Sequence, residues 1–122
     1  NTKWDVIHFN WGLWDLCYRH PKSKVQGNRD KVNGTVTTTL EQYEKNLEEL
    51  VSRLKKTDAK LIWAHTTVVP EKEAGRIVGD DTKYNEVAAS AFFEAWRCPL
   101  YPGGLSKNCE AGLGSYFNSH RR

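Results

Sequence analysis

The sequence predicts a small α/β fold of order β-α-β-α, and three observations carry that expectation. Residues 4–10 and 61–69 are rich in aromatic and β-branched side chains, the composition of parallel strands buried on both faces. Each is followed by a stretch whose apolar residues recur at helical spacing, over 40–54 and 84–96. Proline and glycine punctuation separates these blocks, and 122 residues suffice for one domain but not two.

In the first strand, alternation puts Trp4, Val6, His8 and Asn10 on one face and Asp5, Ile7 and Phe9 on the other. Both faces are largely apolar, so helices are expected on each side, with His8 a satisfied core histidine. Gly12 breaks the strand, and 13–18 form a turn or a short helix. The span 19–37 carries Pro21, Gly27, Asn28, Asn33 and Gly34 and is expected as a long surface loop, mobile or functional. Within it Asn33, Gly34 and Thr35 match a glycosylation sequon.

Thr38 and Glu41 fit a capping box that opens the first helix. Its stripe is Leu40, Tyr43, Leu47, Leu50, Val51 and Leu54, with acidic residues early and Lys55 and Lys56 late, as the helix dipole favours. Pro70 closes the second strand. Asp80 or Asp81 is expected to cap the second helix, whose apolar face uses Tyr84, Val87, Ala88, Ala91, Phe92 and, at its end, Trp96. The single domain is therefore drawn as an α/β part over 1–92 and an irregular tail over 93–122, broken by Pro99, Pro102 and several glycines.

Composition narrows the function classes. Hydrophobic content of 39% against charged content of 27% marks a globular rather than a disordered chain. The net charge of +3 is mild, and Lys55, Lys56 and Lys60 are offset by Glu41, Glu44, Glu48 and Glu49, which argues against a nucleic-acid partner. No run approaches the roughly 18 to 20 apolar residues of a membrane span, and no signal peptide precedes Asn1, so a cytoplasmic protein is expected. Cys17, Cys98 and Cys109 are an odd number without a CxxC pair, which suggests reduced thiols, with one disulfide plus a free thiol as the alternative.

Two segments resemble a known family. Trp4 to Phe9, then Asn10, Trp11, Gly12, Leu13, Trp14, Asp15 and Leu16, look like the strand and loop of the third sequence block of SGNH-type (GDSL-like) hydrolases, usually Gly-x-Asn-Asp. Tyr43 to Leu47, Leu61 to Pro70 and Tyr84 to Ala88 are similar to that family's next helix, strand and helix. Together they span about residues 1–90. The resemblance implies a truncated flavodoxin-like βαβα fragment with parallel strands flanked by helices. It also implies that the Gly-Asp-Ser block and the oxyanion-glycine block would lie upstream of Asn1.

The departures shift the expected chemistry. Trp14 stands where the family places a polar oxyanion donor, and no Asp-x-x-His block follows the second helix: no aspartate occurs after Asp81, and His120 is preceded by Asn118 and Ser119. A serine mechanism needs nucleophile, base and oxyanion donors within hydrogen-bond reach, and none is assignable here. The tail from Phe93 does not resemble the family, as a frame-altered or recombined gene end would not.

In open α/β sheets, ligands lie beyond the carboxyl ends of the strands. There the sequence places Asn10, Asp15, Cys17 and His20 after the first strand and His65, Thr66 and Thr67 after the second. Asp15, Cys17, His20 and His65 are mixed hard and soft ligands suited to zinc or manganese, with Asp15 and His65 as the catalytic pair. Glu71, Glu73, Asp80 and Asp81 are spare carboxylates, ordinarily a solvated face and a cap. The leading expectation is a small metal-assisted hydrolase of phosphodiester or activated carboxylic esters. The alternative is an inactive fragment that self-associates or binds a partner through exposed aromatics. Unpaired strand edges and uncovered apolar faces favour a two-fold homodimer in either case.

Overall fold

The computed structural model describes residues 2–96. The order is β1 (Val6–Phe9), β2 (Tyr18–Arg19), β3 (Thr35–Val36), α1 (Leu40–Lys55), β4 (Lys60–Trp63) and α2 (Asp80–Trp96). The expected irregular tail, with Cys98, Cys109 and His120, lies outside the described residues from position 97 onward.

β1 and β4 pair in parallel, Ile7 opposite Leu61 and Phe9 opposite Trp63. Both strands are shorter than expected. After Trp63 the chain leaves the ladder, and His65, Thr66 and Val69 are held by side chains from elsewhere instead. Pairing in register puts Ile7, Phe9, Leu61 and Trp63 on one face, where they pack with Val51 and Leu54 of α1 and Phe92 of α2. The two helices continue this core between themselves through Tyr43, Leu47, Tyr84, Ala88 and Ala91, with Leu16 and Val69 closing its far end.

The other sheet face corrects the expectation of helices on both sides. Val6 is 47% exposed and Ile62 44%, and Trp4 just before β1 is 59% exposed. His8 points to the same side and is exposed, so it is not a core histidine. Both described helices lie on the opposite face. Apolar residues at a strand position show compatibility with burial, not the presence of a covering layer.

The 19–37 span is also more ordered than its composition suggested. β2 and β3 form an antiparallel pair, Tyr18 opposite Val36 and Arg19 opposite Thr35, and a 3₁₀ turn at Gln26–Asn28 carries Gly27 in the left-handed region. The helix start moves by one residue: Thr39, not Thr38, is the N-cap of α1, its hydroxyl accepting from the Gln42 amide at 3.3 Å. Leu50 of the expected stripe is exposed at the margin of the core. α2 begins at Asp80, so the two expected cap residues, Asp80 and Asp81, lie inside its first turn, and the buried Asp81 carboxylate accepts from the Val69 amide at 3.3 Å.

Candidate functional site

The parallel pairing of β1 and β4 brings their carboxyl ends side by side. Asn10, the first residue after β1, donates from Nδ2 to the His65 carbonyl at 2.6 Å. Asn85, in the second turn of α2, brackets the next residue: its Oδ1 accepts from the Thr66 amide at 2.8 Å, and its Nδ2 donates to the Thr66 carbonyl at 3.2 Å. These two asparagines satisfy the 65–66 backbone beyond the end of the β1–β4 ladder and fix it between the sheet and α2. His65 itself is exposed, with its ring 4.7 Å from that of Trp63. A cleft of about 240 Å³ opens beside it, lined by His65, Thr82, Asn85, Glu86 and Ala89.

The loop after β1 is folded back under this region. Gly12 has φ of +134°, and a Cβ there would lie 3.2 Å from both Thr66 Cβ and the Tyr43 hydroxyl, so glycine suits the position on both counts. A turn follows, closed by the Leu16 amide on the Gly12 carbonyl, and the Tyr43 hydroxyl donates to the Trp11 carbonyl at 2.8 Å. Trp14 stays largely exposed, with the Arg19 guanidinium 3.8 Å over its ring.

The remaining predicted ligands are placed elsewhere. Asp15 is half-buried near the Tyr43–Tyr84 pair. Burial raises both phenols first, and the Asp15 charge adds to it, pushing Tyr84 to about 12 and Tyr43 well above its ordinary value. Cys17 is fully buried, its thiol 3.6 Å from the Tyr18 carbonyl. His20 accepts from the Lys22 amide at Nδ1, 3.2 Å away. Among the described residues no group of three or more histidine, cysteine, aspartate or glutamate side chains is placed to hold a metal ion, so Asp15, Cys17, His20 and His65 do not form the expected ligand set.

The spare carboxylates divide. Glu73 is not part of a solvated face: only 9% of its side chain is exposed, and it accepts from Arg29 at 2.6 Å, Arg76 at 3.0 Å and the Gly75 amide at 2.6 Å. Burial pushes its pKa up, but the Gly75 amide and the Arg76 and Arg29 charges outweigh that and hold it below the ordinary value. The cluster ties the 71–76 loop to the β2–β3 region rather than forming a reactive site. Asp80, also buried, pairs with Lys83 at 2.7 Å.

Asn85 and Glu86 were the site residues that patterning did not single out. Their one signal is asparagine well inside a helix, a disfavoured location that often marks a side chain with a tertiary task. No family model, curated protein or solved structure matches the chain. Among the described residues, no helix is long and apolar enough to cross a membrane.

Proposed function

We propose that this chain hydrolyses ester bonds, of phosphodiesters or activated carboxylic esters, on an SGNH-like, flavodoxin-type scaffold. The observation that carries this is the exposed His65, clamped through its backbone by Asn10 and through its neighbour by Asn85, beside a cleft that also presents Glu86. An exposed imidazole carried on a clamped backbone at the carboxyl end of a parallel sheet is suited to general-base work. A free ring nitrogen of His65 takes a proton from water, the hydroxide adds to the ester carbon or phosphorus, and the proton passes on to the departing alkoxide. Glu86 lines the same cleft. Among the described residues no three histidine, cysteine, aspartate or glutamate side chains are grouped to hold an ion, and the proposed step is written without zinc or manganese. A reducing, cytoplasmic setting is part of the proposal and suits the buried free Cys17.

A panel of nitrophenyl esters and phosphodiesters, assayed with and without a chelator, tests it. Turnover that survives chelation is expected. Turnover abolished by the chelator and restored by zinc or manganese would return the chemistry to a metal, and no turnover on any substrate would remove hydrolysis altogether.

A second reading has its own observation. The exposed sheet face bearing Val6, His8 and Ile62 and the outer edges of β1 and β4, unpaired among the described residues, favour a module that associates with a second copy of itself, active or not.

A further inference from the structure

We infer that the Asn33–Gly34 bond is a latent succinimide-forming site that Asp30 holds shut while the β2–β3 pair is closed. Asparagine before glycine is the dipeptide most prone to this reaction, because glycine offers no side chain to hinder attack. The Gly34 nitrogen loses its proton to hydroxide and bonds to the Asn33 side-chain carbon, and the bond from that carbon to Nδ2 breaks as ammonia departs. Water then opens the ring. Opening at the side-chain carbonyl gives aspartate, and opening at the main-chain carbonyl gives isoaspartate.

In the folded chain both reacting groups are engaged by Asp30. The Gly34 N–H that must be lost donates to the Asp30 carbonyl at 3.0 Å. Nδ2 of Asn33 donates to Asp30 Oδ2 at 3.3 Å, and the Asn33 and Val32 amides donate to Oδ1 at 2.9 and 3.0 Å. The carboxylate therefore orients the amide and also sets a negative charge beside a step that builds negative charge on nitrogen and oxygen. Its pKa is held low by the Asn33 amide, so it stays ionised at neutral pH.

The fold cannot simply avoid the vulnerable dipeptide here. A Cβ at position 34 would overlap the Asp30 carbonyl oxygen and lie 2.8 Å from the Arg19 carbonyl carbon. Glycine is required by packing where it is chemically hazardous, and Asn33 is exposed to water. Isoaspartate would insert an extra backbone carbon just before β3 and shift Thr35 and Val36 out of register with Arg19 and Tyr18. The modification is thus a one-way record of how often this pair opens.

The test incubates the protein at mildly alkaline pH, folded and in urea, and follows aspartate and isoaspartate at position 33 by mass spectrometry of the digest. The folded protein is expected to react about tenfold more slowly or better, because reaction requires local opening. Asp30→Ala and Asp30→Asn are expected to bring the folded rate toward the rate in urea. Equal rates for folded and urea-treated wild type would overturn the inference without any variant. Folded variants that keep the slow wild-type rate would overturn the role given to the Asp30 carboxylate, because both substitutions leave the main-chain bond from Gly34 to Asp30 in place.

Discussion

Glu73 shows how a residue that looks like ordinary surface charge becomes structural. Sequence alone gives an acidic residue in a polar loop after a strand, and nothing in the spacing reveals Arg29, 44 positions away, as its partner. Replacing Glu73 with alanine leaves Arg29 and Arg76 facing a buried gap and is expected to cost about 3 kcal/mol in urea unfolding. The pH dependence has a definite sign. Because the folded pKa lies below the ordinary 4.5, the unfolded chain takes up the proton first as the solution is acidified. The Glu73 contribution is therefore complete above that value and is lost as pH falls through the folded pKa. Wild type should lose stability over that window more steeply than Glu73→Gln; equal slopes would show that the carboxylate contributes nothing. Cys17 was expected among the metal ligands, yet it is fully buried core between Leu16 and Tyr18. His8 was not legible either, because alternation assigns a face but does not say whether anything covers it.

At the scale of elements, the helices were the most legible features. The α1 stripe of Tyr43, Leu47 and Val51 predicted its buried face, and the glutamates and lysines at its two ends predicted its direction. The cap slipped by one residue because Thr37, Thr38 and Thr39 offer similar hydroxyls. Tertiary contacts decide among them: Thr37 donates to the Cys17 carbonyl, and the Thr38 carbonyl accepts from the Tyr84 hydroxyl. Thr39→Ala should lower stability by about 1 kcal/mol, while Thr38→Ala should leave the α1 cap intact. Urea midpoints of the two variants check this, and a larger loss for Thr38 would restore the capping box at that position. β2 and β3 escaped notice for a physical reason. Two-residue strands carry no measurable period, and their pairing rests on backbone bonds that leave no trace in side-chain pattern.

For the molecule as a whole, the order of strands and helices followed from apolar periodicity, and the parallel pairing of β1 with β4 followed from that order. The one-sided arrangement of the described helices did not. It leaves Val6, His8 and Ile62 on a surface that a second copy can cover, and Val6→Lys combined with Ile62→Lys tests that association. Sedimentation should show wild type heavier than the variant at the same concentration, with helical signal retained in both. Identical sedimentation as monomers would remove self-association through this face. The candidate site was legible in part: the carboxyl-end rule found Asn10 and His65, whereas Asn85 and Glu86 arrive only when α2 folds against β4.

The most direct measurement is the steady-state hydrolysis of a nitrophenyl ester by wild type and His65→Asn, paired with the urea midpoint of each. The Asn10 and Asn85 bonds are made to backbone atoms, so the substitution leaves the clamp in place and the fold is expected to persist. Loss of a positioned general base predicts a fall in kcat of about 10²-fold or more with an unchanged midpoint. A His65→Asn protein that is equally stable and equally active would contradict a catalytic role for His65.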